Sequence, residues 1–199
     1  MRVGGELVAL ELDPVRAARA RAAGLSVQEG DLETLPALGP AAFVRVANVL
    51  RGLDLGIALS AHLRICASLG PGGLALEGST DRHGAFAVAH ELRPEAPQRR
   101  ALIFAADLSA GFAPPALRHV LPRDLRGRAR EGALGRFFGR WEAAFAAARA
   151  AAPRASADAL WSQSTPAEET VMHLPMEGGV ALRWAPAGGV PGGGDIKEP

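Results

Sequence analysis

Apolar and polar positions in this chain follow two periods. Short apolar runs read as strands, and longer segments with apolar residues every three or four positions read as helices. The first run, Glu6-Leu7-Val8-Ala9-Leu10-Glu11-Leu12, has the continuous apolar character of a strand buried on both faces of a parallel sheet. It stops at Asp13-Pro14, where the aspartate suits a helix cap and the proline the first helical turn. The helix through Val15, Ala18 and Ala22 ends at Gly24, a suitable C-terminal cap. Residues 25–29 read as a short second strand closing at Gly30-Asp31, and 36–40 as a loop. Residues 42–50 read as a third strand with the polar Asn48 near its exit. Residues 57–69 are amphipathic, with Leu59, Leu63, Cys66 and Leu69 on or near one face, and Gly70-Pro71 stops that helix. A fourth strand, 74–77, exits at Gly78-Ser79-Thr80-Asp81. The order βα, β, βα, β is that of a doubly wound parallel sheet.

Beyond residue 81 the rhythm changes. Residues 85–92 and 101–108 are strand-like runs joined by Arg93-Pro94-Glu95-Ala96-Pro97, which predicts an antiparallel pair at a sheet edge. One strand of that pair should lie beside residues 74–77. After Pro114-Pro115 comes a basic stretch, then a helix over 133–152, a short helix over 157–163 and a weak strand over 180–184. The glycine-rich segment 188–199 is expected to be disordered. No internal repeat appears. Residues 1–110 thus form a partial α/β core, and 111–187 an arginine-rich helical region packing on the same domain.

At 199 residues and 48% hydrophobic content, one full core is expected. The formal charge of +1 gives no global attraction to nucleic acid or an acidic membrane. Lys197 is the only lysine and Asn48 the only asparagine, while alanine, glycine and arginine abound, so single arginines carry little information. The lone cysteine, Cys66, excludes an intrachain disulfide and a multi-cysteine zinc site. No apolar run reaches the ~18 residues of a membrane span, and no signal-peptide layout opens the chain. A cytoplasmic protein without a membrane partner is therefore expected.

Four motifs in order carry a resemblance. ALELDP (residues 9–14), VQEGDLETLP (27–36), FVRVANVL (43–50) and LGPGGLALEG (69–78) resemble the second, third and fourth strand motifs, and the turn into the fifth strand, of class I S-adenosylmethionine-dependent methyltransferases. The resemblance implies a Rossmann-like methyltransferase sheet, mostly parallel with an antiparallel edge pair. The cofactor implied is S-adenosyl-L-methionine, and the partner a small-molecule methyl acceptor.

It also implies site residues. Glu11 matches the acid that binds the ribose hydroxyls, and a carboxylate is a good double acceptor for a diol. Asp31 matches the acid near the adenine amino group, with Leu32 supplying the neighbouring backbone N–H. Asn48 faces the methionine end of the cofactor. Each has a structural alternative: a strand-end charge for Glu11, a turn-forming Gly-Asp for Asp31, a strand-end polar residue for Asn48. The family's first strand and G-x-G-x-G loop have no counterpart. Either the chain is N-terminally truncated, the favoured reading, or its first and third strands pair directly around a pocket without a floor. In both cases it is expected to be poorly stable and silent in methyl transfer. A non-catalytic methyltransferase-like module or gene remnant is the alternative, and a nicotinamide-dependent enzyme a third reading that the later motifs disfavour.

Other constellations are weaker. Residues 118–140 hold seven arginines against Asp124 and Glu131. Phe137, Phe138 and Trp141 at that spacing look like a helix's buried face, which leaves a solvated basic face and no nucleic-acid partner. His83, His90 and His119 are candidate general bases, His62 reads as structural, and no metal-ligand spacing is present.

Overall fold

The computed structural model describes residues 6–167, 171–174, 179–186 and 190; most of the glycine-rich segment 188–199 lies outside them. The chain is α/β, and its described residues build two sheets. The smaller comes first: strand β1 (Ala9–Glu11), helix α1 (Pro14–Ala22) and strand β2 (Val27–Glu29). Asp13 caps α1, its carboxylate accepting from the backbone N–H groups of Val15 at 2.8 Å and Arg16 at 3.2 Å. Gly24 follows the helix with φ +84°, a conformation that costs glycine nothing. β1 and β2 pair in parallel from Ala9↔Val27 to Glu11↔Glu29. Both strands are shorter than the apolar runs that announced them, and Leu7 and Leu12 are 84% and 70% exposed.

The larger sheet has six strands. In chain order the elements are β3 (Ala41–Ala47), α2 (Leu55–Ala67), β4 (Leu69–Thr80), β5 (Phe86–Arg93) and β6 (Ala96–Ala106). There follow α3 (Pro114–His119), α4 (Gly132–Ala151), α5 (Ala157–Ser164), β7 (Val171–Leu174) and β8 (Val180–Trp184). The spatial order is β3-β4-β5-β6-β8-β7. Only β3 and β4 are parallel, and every later neighbour is antiparallel.

This departs from a mostly parallel sheet with an antiparallel edge pair. The expected pair β5–β6 forms, with β5 beside β4. It lies inside the sheet, because β8 and β7 continue beyond β6. Only residues 81–85 separate β4 from β5, far fewer than the dozen or so a parallel crossover needs, so a hairpin is the only connection available. The turn at Gly70–Gly73 is also not a helix-to-strand boundary. It is an irregularity within β4, where the register jumps from Ala41↔Leu69 to Phe43↔Leu74. Among the described residues β1 pairs only with β2, and β3 only with β4.

The helices cover one face of the large sheet rather than both. Val44, Val46, Ala75, Val88, Leu92, Leu102, Phe104, Leu182 and Trp184 share a face through the strand registers, and all are buried. α2 packs Ile65 and Cys66 against the β3–β4 end of that face. α4 lays Leu134, Phe137, Phe138 and Trp141 on the β6–β8 end, a helical stripe of spacing three and four. Phe137 stacks on Trp184 at 4.7 Å and on Phe104 at 5.5 Å. Trp161 of α5 meets Trp141 edge-on at 5.3 Å. Val190 is buried in the same cluster, although the segment containing it was expected to be disordered.

The arginine-rich stretch also does more than face solvent. α3 forms inside it. Arg118 pairs with Glu142 at 2.7 Å and lies 4.6 Å from the centre of the Phe138 ring, while Arg123 donates to the Leu53 carbonyl at 2.9 Å. No described helix is long and apolar enough to cross a membrane.

Candidate functional site

The carboxyl ends of the parallel strands hold two pairs of residues. Glu11 ends β1, and the backbone N–H of Gly30, just past β2, donates to the Glu11 carbonyl at 3.2 Å. Glu11 and Asp31 therefore sit on adjoining strand ends. The Glu11 carboxylate accepts from the Asp13 N–H and from Arg16 Nη2, both at 2.9 Å. Asp31 closes a turn in which its Oδ1 accepts from the N–H groups of Glu33 at 2.8 Å and Thr34 at 3.2 Å. The Thr34 hydroxyl donates back to the Asp31 carbonyl at 2.8 Å. Leu32 is half-buried, its side chain packed between the cluster of Val44 and Ile65 and that of Leu50 and Ala58.

Asn48 belongs to the second pair. It lies just past β3 with φ +63°, the only described non-glycine residue in the left-handed region. Its side-chain amide spans the two strand ends: Nδ2 donates to Thr80 Oγ1 at 2.8 Å and Oδ1 accepts from the Thr80 N–H at 2.9 Å. Next to Thr80, the hydrogen bond from the Phe86 N–H holds the Asp81 carboxyl below its usual range. Among the described residues no hydrogen bond joins Asn48 to Glu11 or Asp31.

The three candidate bases separate. His83 lies in the β4–β5 turn and accepts from Arg82 at 2.8 Å, and His119 ends α3. His90, by contrast, is fully buried on β5 under the helices.

That last position belongs to a group the sequence did not assemble. His62 of α2, Glu77 of β4 and His90 of β5 are all buried, and each offers a ligand atom within 4.8 Å of the others. Glu77 and His90 are cross-strand partners in register. His62 Nε2 lies 2.8 Å from Glu77 Oε2, and His90 Nε2 lies 2.9 Å from Asp124 Oδ1. The two imidazoles meet edge to face at 5.2 Å.

A signal for this group was present in the periodicity. In β4, Glu77 has the parity of buried Ala75. In β5, His90 has the parity of buried Val88 and Leu92, and in α2 His62 shares a face with Ala58, Ile65 and Cys66. Polar residues at positions where the period demands apolar ones are the trace of a buried polar site. One turn beyond His62, burial pushes the Cys66 thiol up, so it stays an inert thiol.

Compared with protein-family models, curated proteins and solved structures, the chain matches none of them.

Proposed function

We propose that the chain is a methyltransferase-like domain that holds the nucleoside half of S-adenosylmethionine at the carboxyl ends of its parallel strands and is, as it stands, incomplete for methyl transfer to a small-molecule acceptor. The observation that supports this most is the pair of acids, Glu11 and Asp31, on the adjoining ends of β1 and β2, the edge where open α/β sheets bind nucleotides. In this reading Glu11 accepts from the ribose hydroxyls and Asp31, with the Leu32 N–H, meets the adenine edge. Asn48 lies toward the methionine end. The residues fit the nucleoside, since both acids reach a strand end and are at least partly exposed. The Arg16–Glu11 pair does not stand in the way: Arg16's side chain is 66% exposed, and such surface pairs contribute only about 0–1 kcal/mol. In a complete enzyme of this kind the cofactor would supply an electrophilic methyl group, and the protein's part would be to orient the acceptor and exclude water. The chain contains no G-x-G-x-G sequence, so binding should be weak and dominated by the nucleoside.

Calorimetric titration with S-adenosylhomocysteine tests this. Glu11→Ala should weaken binding by about 1–3 kcal/mol, roughly 5- to 150-fold in Kd. No heat with the parent chain, or parent-like affinity in Glu11→Ala, would contradict the assignment.

One observation favours a second reading, a non-catalytic interaction module. Leu7, Leu12, Val15 and Leu25 in and around the β1–α1–β2 unit, and Phe43 and Val49 at β3, are all more than half exposed. Exposed apolar side chains such as these would suit a protein partner where they form a continuous patch. Adenosine or S-adenosylhomocysteine binding separates the two, because an interaction module has no use for either.

A further inference from the structure

We propose that His62, Glu77 and His90 form a binding site for a divalent transition-metal ion, with zinc as the ion to test first. The proposal is independent of the nucleotide site, since these residues lie under α2 on the covered face of the sheet.

Three elements deliver one ligand each. β4 and β5 bring Glu77 and His90 opposite one another, and α2 places His62 over them. All three side chains are buried, at 2%, 0% and 3% residue exposure in that order. The donor set, two imidazoles and one carboxylate, is one that zinc and the other late divalent ions accept, with further coordination positions left for water or substrate. The spacing fits as well. His62 Nε2 and Glu77 Oε2 are 2.8 Å apart, while two such atoms on one tetrahedral zinc stand about 3.3 Å apart. A shift of a few tenths of an ångström converts the hydrogen-bonded pair into a ligand pair. The proton now shared by them leaves or moves to His62 Nδ1.

Asp124 completes the argument. Its carboxylate holds His90 Nε2 at 2.9 Å, so Nδ1 would be the ligating nitrogen. A carboxylate behind a ligating histidine fixes the ring and raises its basicity. Cys66, a turn further along α2, sits in the neighbouring apolar cluster and is not a ligand.

The test uses the full chain, stripped with a chelator and titrated with zinc and with cobalt. One ion per chain should bind, and zinc should raise the melting temperature in a concentration-dependent way. Glu77→Gln and His62→Gln should each weaken zinc binding at least about 100-fold. Asp124→Asn should weaken it about 10- to 100-fold, the range found for partners behind a ligand.

Buried substitutions can compromise folding, so the imidazole nitrogen resonances of the unmodified chain provide a second readout. Zinc should shift His62 and His90 and leave His83, His119 and His173 in place. No saturable uptake, shifts confined to the other three histidines, or affinity unchanged in both glutamine variants would overturn the proposal. A thiolate charge-transfer band with cobalt would overturn the ligand set. S-adenosylhomocysteine binding measured on the stripped chain reports separately on the strand-end site.

Discussion

Asn48 shows how one side chain can close a strand end. Left-handed backbone at φ +63° costs an ordinary residue about 1–2 kcal/mol and is tolerated best by glycine and asparagine. Asparagine adds what glycine cannot, two hydrogen bonds to Thr80 across the β3–β4 exit. Asn48→Ala should therefore lower stability by about 2–3 kcal/mol, with about 1–2 kcal/mol from backbone strain and about 1 kcal/mol from the lost amide. Asn48→Gly should lose only the amide and fall between the two. Denaturant midpoints of the three chains check this, and an alanine variant as stable as the glycine variant would show that the backbone there is unstrained. Asn48 stood out in the sequence as the only asparagine. Its pairing with Thr80 was not legible, because that contact spans 32 residues and depends on the parallel register.

At the scale of elements, several local signals were read correctly and long-range partners were missed. The buried face of α2 was misread, since Leu63 is exposed and Ala58, Ala61, His62 and Ile65 are buried. The cap at Asp13, the glycine after α1, the aromatic stripe of α4 and the strand at 180–184 follow from local chemistry, and all are present. α3 and β7 were missed: α3 is six residues long and β7 four, too short for a period to register. The placement of β5 and β6 inside the sheet depends on β8, which joins β6 from some seventy residues downstream.

The β4–β5 contact carries a sharp test. Gly78 faces Ala89 in register, and a Cβ added to it would run into the Val88 carbonyl oxygen and the Ala89 Cα. Both obstacles are backbone, so the strands would have to separate. Gly78→Ala should cost about 3 kcal/mol or more, at or beyond the upper end for overpacking. It should also disturb the neighbouring Glu77–His90 pair. A melting temperature within a degree or two of the parent would show that β4 and β5 are not held at this spacing.

Over the whole molecule, the two sheets differ in how firmly they are held. The large sheet rests on a dense aromatic cluster in which Phe104, Phe137, Phe138 and Trp141 are all fully buried. The β1–α1–β2 unit buries only Ala17 and Val27, and its strands are three residues each. Local stability follows buried contacts, so amides of β1, α1 and β2 should exchange with deuterium far faster than those of β4, β5 and β6.

The positions of the strand-end acids were easier to read from sequence than the buried cluster, whose members showed only as polar residues at apolar positions. Glu11 and Asp31 lie close in the chain, at the ends of an apolar run and a short alternating one. His62, Glu77, His90 and Asp124 come together only after a helix, a hairpin and a distant loop have packed.

The central claim is that the first two strand ends hold a nucleoside. Hydrogen exchange followed by mass spectrometry, with and without S-adenosylhomocysteine, tests it most directly. The nucleoside should slow exchange in residues 11–16 and 29–34 and leave β6 and β8 unchanged. Unaltered exchange in both segments at saturating ligand, or protection confined to the C-terminal helices, would contradict it.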